Sequence, residues 1–339
     1  MTAGGHIMLI AIPDDYQKLV ATLDCYAALR GNDVRVFQGP AQSFDELATQ
    51  LKDAEVIVPI RERTRFPREL IERLPRLRHI SQTGRSTHHI DVAACTARGI
   101  AVSAGTHASP YTVAEHTWAL ILAALRDIPG QTRAMRRGEW SSHLSLGLHG
   151  KTLGIHGFGK IGSLVALTGK SFGMRVLAWG GETSRRRAAE AGCEFAASRR
   201  ELFESADVLS LHLRLSNETR HAVTAGDFAL MKPGALFVNT ARGELVAPGA
   251  LETALKHGRP GYAAVDVYEK EPVLNGDHAL LKMDHALCTP HSAWIEKETF
   301  ELYFGEAFDN VIKFSRGGKV NLVNPEALPL PTPFSPPIP

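Results

Sequence analysis

Residues 153–162 read Leu-Gly-Ile-His-Gly-Phe-Gly-Lys-Ile-Gly, an apolar run ending in glycines spaced Gly-x-Gly-x-x-Gly and continuing into an apolar stretch as far as Phe172. The pattern predicts a strand, a tight turn and a helix. In such a unit Gly157 permits the turn, Gly159 lets a ligand reach the backbone, and Gly162 lets helix and strand touch. The free N–H groups of the first helical turn, at Lys160 and Ile161, favour a pyrophosphate. A second β-branched run at 175–179 supplies the next strand, so the stretch reads as the start of a dinucleotide-binding sheet. The nearby Gly169-Lys170-Ser171 resembles the end of a mononucleotide phosphate loop, but Leu164 stands where that loop needs glycine.

Working outward, short apolar runs alternate with helical stretches along the whole chain, the signature of parallel βαβ units buried on both faces. One series lies at 8–13, 34–38, 55–60, 77–83 and 100–103. A helical stretch over 109–126 follows, then 128–150, rich in Gly, Arg, Ser and His, which reads as a crossing between domains. The second series occupies 152–157, 175–179, 207–211, 235–240, 262–267 and 285–289, and the pattern turns helical again through Lys313. The fold class is α/β with two doubly wound parallel sheets, and the proline-rich tail 325–339 reads as extended, disordered or laid along a partner surface.

Composition narrows the function. At 339 residues the chain is too long for one ordinary core and suits two domains. Its net charge of +2 is far from the basic excess a nucleic-acid binder needs. The cysteines, Cys25, Cys95, Cys193 and Cys288, lack any Cys-x-x-Cys spacing, which points to a reducing compartment such as the cytoplasm. No apolar stretch has the length of a membrane span, and no signal peptide is read at the start. His88 and His89 are adjacent with no carboxylate cluster beside them, so no metal is expected.

Three segments follow predicted strands at their carboxyl ends, where open α/β sheets bind ligands. They carry Arg242 in 239–243, Glu271 in 266–272 and His291 in 289–294. Taken singly, each is more often a surface charge or a satisfied core residue than a catalyst. An arginine, a carboxylate and a histidine in that order after a dinucleotide loop are far more specific. The guanidinium can hold a substrate carboxylate through paired hydrogen bonds, and the histidine can move a proton near neutral pH.

With these segments in view, the sequence resembles the D-isomer-specific 2-hydroxy acid dehydrogenase family, strongly over about 77–322. The resemblance rests on 91–102, Val113-Ala114-Glu115-His116, the glycine loop, Met231-Lys232-Pro233-Gly234, 239–246, Glu271-Pro272 and Pro290-His291. It implies an NAD(P)-dependent oxidoreductase moving a hydride between nicotinamide and a D-2-hydroxy or 2-oxo acid. The implied roles are Arg242 as substrate clamp, Glu271 as partner of the histidine, and His291 as acid and base. Thr240, Ala241, Asp266, His291 and Ala293 are expected along the nicotinamide, Thr219 near the phosphates and Gly180 beside the adenosine. The implied domains are a Rossmann cofactor domain at 109–289 and a flavodoxin-like substrate domain at 1–108 and 290–324, with a cleft between. A cofactor-sensing, corepressor-like protein of the same fold is the alternative; the near-neutral charge and the absence of appended interaction regions favour the enzyme.

Three finer expectations follow. The family's Gly-x-Gly segment for the substrate carboxylate corresponds to Gly84-Arg85-Ser86, where Arg85 suggests a second anionic group on the substrate. An NAD enzyme normally carries Asp or Glu at the end of its second strand; here Gly180 and Gly181 stand there, with Glu182, Ser184, Arg185, Arg186, Arg187 and Arg214 near, which suggests a modest lean to NADP(H) with NAD(H) also used. Val113, His116, Trp118, Leu120, Ile121 and Ala124 make the long helix apolar over more than one face, which suggests a homodimer.

Overall fold

The computed structural model describes residues 6–140 and 144–327. The chain divides into two compact units, one running up to Ala108 and resuming at Glu296, the other Ser109–Ile295. The first holds β1 (Leu9–Ile12), β2 (Asp33–Val36), β3 (Val56–Ile57), β4 (His79–Gln82) and β5 (Ala101–Ala104), all parallel in the order β2-β1-β3-β4-β5. Strands β1, β3, β4 and β5 are largely buried while the edge strand β2 is partly exposed, and Ile57, Phe66, Leu70, Ile80 and Val102 share one core. The expected strand at 55–60 shrinks to β3, and Pro59 has no N–H to extend the ladder. The helix Lys297–Ser315 returns to this unit, where Ser81 Oγ donates to the Ala307 carbonyl at 2.8 Å.

The second unit holds β6 (Thr152–His156), β7 (Arg175–Trp179), β8 (Glu194–Phe195), β9 (Val208–Leu211), β10 (Leu236–Asn239), β11 (Tyr262–Val265) and β12 (Ala286–Cys288). Their order is β12-β11-β10-β9-β6-β7-β8, again all parallel. Apolar clusters line both faces, one around Phe203, Phe228 and Phe237, the other around Trp118, Ile121, Ile155 and Val165. Gly169 is a packing residue: a Cβ there would stand 2.5 Å from Leu153 Cδ2 and 3.5 Å from the Trp118 ring.

Several expectations are corrected. The stretch 128–150 is not a crossing between domains. It begins with the helix Ile128–Arg136, started by Asp127 in a left-handed conformation (φ 44°) whose carboxylate accepts the Gly130 N–H at 3.1 Å, and the passage between units falls at Ala108/Ser109. The second passage lies at Ile295/Glu296 rather than 289/290, because the Asp266 carboxylate ties Ser292 and Ala293 to the second sheet. The short edge strand β8 was not expected; Glu194 pairs with Arg175 at 2.6 Å, so the strand shows no apolar run. On the helix Tyr111–Arg126, Trp118, Leu120 and Ile121 are buried in the unit's own core, so the surplus apolar surface expected from them is not there. Exposed apolar side chains lie instead at Tyr111, Leu122, Ile128, Met135, Trp140 and Leu144. Of the tail, Pro325–Ala327 forms a 3-10 turn and 328–339 lie outside the described residues.

Candidate active site

The glycine loop sits where the chain reverses its course through the second sheet, at the carboxyl ends of β6 and β9, the position at which open α/β sheets bind ligands. Gly157 has φ +98°, and a Cβ there would stand 2.7 Å from the His212 carbonyl at the end of β9. A Cβ on Gly162 would overlap the Gly157 carbonyl, so helix Lys160–Ser171 can approach β6 only with glycine there. Gly159 meets nothing within 4 Å. It is also the N-cap of that helix, and among the described residues no side chain takes the free N–H groups at Lys160, Ile161 and Gly162. Two glycines are thus dictated by the protein and one faces open space, which fits a dinucleotide whose pyrophosphate comes to the helix N-terminus.

After β7 the chain turns through Gly180, where a Cβ would stand 2.6 Å from Ser184 Oγ. Ser184 Oγ in turn accepts the Phe158 N–H at 3.1 Å, linking this turn to the glycine loop. Glu182 is exposed and lies 4.0 Å from Arg185, whose guanidinium stacks on Phe195 at 4.3 Å. Thr219 is engaged by its own turn after β9: its hydroxyl donates to the Arg214 carbonyl at 2.6 Å and accepts the Ser216 N–H at 2.8 Å.

Arg242, Glu271 and His291 follow β10, β11 and β12, three adjacent strands, at their carboxyl ends. Asn239 shapes the first of these turns, its side chain donating to the Arg242 carbonyl at 2.9 Å and accepting the Ala241 N–H at 3.0 Å. A Cβ on Gly243 would overlap the Tyr268 carbonyl, so the Arg242 turn lies directly on the next one. Thr240 is buried, its hydroxyl 2.9 Å from that of Thr117. Glu271 Oε1 accepts the Tyr268 N–H at 2.9 Å, and Oε2 lies 2.5 Å from His291 Nδ1. The carboxylate therefore holds the Nδ1 proton and leaves Nε2 as the nitrogen that can exchange one.

His291 has φ +49°, a conformation that a residue with a side chain adopts only when its surroundings impose it. The imposing group is Asp266. Fully buried after β11, it accepts Thr289 Oγ1 at 2.6 Å, the Ser292 N–H at 2.8 Å and the Ala293 N–H at 2.9 Å, with His116 Nε2 at 3.5 Å. Burial raises the Asp266 carboxyl, and the hydrogen bonds from His116, Thr289 and the two amides more than offset this, holding it below the ordinary carboxylate range. Asp266 thus faces the His291 turn with both oxygens. Tyr268 braces the same turn by donating to the Thr289 carbonyl at 3.0 Å. The roles of Asn239 and Tyr268 were missed in the sequence, although both lie inside the strand-end segments that carry Arg242 and Glu271.

In the first unit, Gly84 follows β4 with φ +83°, packed against the Arg61 guanidinium. Arg61 lies over the Tyr303 ring at 5.1 Å. Arg85 is exposed, and Ser86 Oγ lies 2.6 Å from His88 Nδ1.

Residues 118–293 match the family model of the D-isomer specific 2-hydroxyacid dehydrogenase NAD binding domain. The chain belongs to the D-isomer specific 2-hydroxyacid dehydrogenase family. It is accordingly a nicotinamide-dependent oxidoreductase acting on 2-hydroxy acids. Among family members, the glyoxylate reductase of Aeropyrum pernix is 38% identical over 84% of this chain and 87% of its own length. The D-3-phosphoglycerate dehydrogenase of Methanocaldococcus jannaschii is also 38% identical over 84% of this chain, but the match spans 54% of that longer protein. A solved phosphoglycerate oxidoreductase from Vibrio cholerae is 46% identical, with a TM-score of 0.87 over 92% of this chain and 100% of that one. No helix among the described residues is long and apolar enough to cross a membrane.

Proposed function

We propose that this dehydrogenase interconverts a small D-2-hydroxy acid and its 2-oxo acid, with His291 as proton donor and acceptor, Glu271 as its holder and Arg242 as substrate clamp. The observation that carries the reading is the 2.5 Å approach of Glu271 Oε2 to His291 Nδ1 on turns beside that of Arg242. A bound nicotinamide would supply the hydride for the carbonyl carbon in reduction and accept it in oxidation. In reduction the proton on His291 Nε2 passes to the carbonyl oxygen, and in oxidation it returns from the hydroxyl. Arg242 pairs with the substrate carboxylate and stabilises negative charge developing on the carbonyl oxygen. The amides of Gly84, Arg85 and Ser86 are the substrate-binding group of the first unit, and the exposed Arg85 guanidinium suits a second anionic group. The cofactor is held by Gly157, Gly159 and the first turn Lys160, Ile161 and Gly162, with Thr240, Ala241 and Ala293 on the nicotinamide side.

The absence of an acid at the end of β7, together with the exposed Arg185, Arg186 and Arg214, supports a modest preference for NADP(H) with NAD(H) also used. The exposed apolar residues from Tyr111 to Leu144 support a homodimer. The free cysteines support a reducing compartment, the cytoplasm. One assay tests the core reading: glyoxylate, hydroxypyruvate, phenylpyruvate and 3-phosphohydroxypyruvate, each with NADPH and NADH. Oxidation of at least one reduced cofactor is expected. Silence across the panel overturns the reaction, and a specificity constant tenfold or more in favour of NADH overturns the cofactor preference. A solution mass equal to the single-chain 36.9 kDa at micromolar concentration overturns the dimer.

A further inference from the structure

Glu306, on helix Lys297–Ser315, spends its whole carboxylate on one short segment of the first unit. Oε1 accepts from Thr106 Oγ1 at 2.6 Å and meets His107 Nδ1 at 2.5 Å, while Oε2 accepts the Thr106 N–H at 3.2 Å and the His107 N–H at 3.3 Å. The carboxylate is only 19% exposed although Thr106 and His107 themselves are exposed and fill no core. Burial raises this carboxyl, and the bonds from Thr106 and His107 outweigh the burial, so it stays ionised below the ordinary range.

What this segment organises is its neighbour. The Gly105 N–H donates to the Gly84 carbonyl at 2.9 Å. A Cβ on Gly105 would stand 2.8 Å from Glu306 Oε2 and 3.2 Å from Gly84 Cα and N, so carboxylate, Gly105 and the Gly84 turn are stacked without a spare methyl between them. The same stretch is the last of the first unit before the chain enters the second at Ser109.

We propose that Glu306 is a positioning residue for substrate binding: by tying 105–107 to the helix it fixes Gly105 against Gly84, and so holds Gly84-Arg85-Ser86 in the conformation that takes the substrate carboxylate. The inference rests on the assignment of that turn as the carboxylate site. It accounts for a charged, largely enclosed side chain reaching a segment that has no apolar reason to be anchored.

The test is Glu306→Ala in the full chain, assayed with glyoxylate and hydroxypyruvate and followed by amide hydrogen exchange at 84–86. The oxo-acid KM should rise about tenfold, a modest share of what misplacing a binding group can cost, while kcat and the cofactor KM stay within about twofold. Exchange at 84–86 should accelerate, and Glu306→Gln, which keeps one acceptor oxygen, should recover most of the KM. Unchanged exchange at 84–86 overturns the positioning role whatever the KM does, and leaves the assignment of the turn standing. Faster exchange with an unchanged oxo-acid KM overturns both. A fall in kcat with both KM values altered overturns the proposal in favour of a general structural role. Should Glu306→Ala fail to fold, Thr106→Val, which removes an exposed partner from the other side, carries the same measurements and the same outcomes.

Discussion

In the seven-stranded sheet the chain reverses its course between β6 and β9, and there it leaves Gly159 facing open space above a helix N-terminus that no side chain caps. In the five-stranded sheet the reversal falls between β1 and β3, and the same kind of crevice is filled from within. Asp15 accepts the Leu19 and Val20 N–H groups at 3.1 Å. Thr64 donates to the Asp14 carboxylate, and Arg63 donates to the Asp14 carbonyl at 2.7 Å while lying over Tyr16. Parallel topology offers a ligand crevice at every reversal, and the side chains of the first turn decide whether a ligand or the protein itself satisfies the free amides.

The sharpest way to use that contrast is to disturb each edge and ask whether catalysis or stability responds. At the open edge, His291→Ala should lower turnover by about 100- to 10,000-fold, the usual worth of a general acid. Cofactor binding, followed by nicotinamide fluorescence, should stay nearly intact. Turnover equal to that of the parent would remove His291 from its role.

A smaller effect is expected at Gly181, where a Cβ meets nothing within 4 Å, unlike Gly180, where it would meet Ser184. Gly181→Asp should shift the ratio of NADPH to NADH specificity constants toward NADH by about tenfold, equivalent to about 1.4 kcal/mol. No shift would mean that the end of β7 does not face the adenosine.

The two interiors should behave alike in acid. Burial lowers His79 in the first sheet to about 3 and His156 in the second to about 4. Their folded values lie below the unfolded value of about 6.5, so the unfolded chain binds more protons between those limits. Stability is then fully present above about pH 6.5 and falls as the pH drops toward 4, by up to about 1.4 kcal/mol per pH unit for each histidine. Urea midpoints at pH 7.5, 5.5 and 4.5 measure this, and equal midpoints at the first two would contradict it.

The smallest change belongs to the filled edge. Asp15→Ala removes a cap and should cost about 1 kcal/mol of stability, with cofactor affinity unaltered. A weaker cofactor affinity in that variant would break the contrast between the two edges.

Much of this was legible in the sequence, and the boundary of legibility has physical causes. The glycine loop and the Arg-Glu-His series are local: each needs only a strand, a turn and a neighbour of stated size. The helix Ile128–Arg136 was hidden in a stretch rich in Gly, Arg, Ser and His, yet Pro129 is welcome in a first turn and Gly130 is the residue the Asp127 cap requires. The strand β8 was hidden because its exposed Glu194 answers Arg175 rather than the core. The roles of Asp266 and Glu306 depend on partners 26 and 199 residues away, and no periodicity reports such pairs.

The helix Lys297–Ser315 carries Glu301 to the Asp24 and Cys25 amides, Tyr303 to Arg61, Glu306 to Thr106 and His107, and Ala307 to Ser81. These partners all lie in the first third of the chain, and the helix reaches them from its last sixth. During synthesis the first sheet therefore emerges without the element that orders its loops, while the second unit is one uninterrupted stretch. Domains ordinarily fold as units and in the order they leave the ribosome. Here the order is inverted: every element of the continuous second unit is made before the helix Lys297–Ser315 on which the first sheet relies, so the second unit can complete itself first.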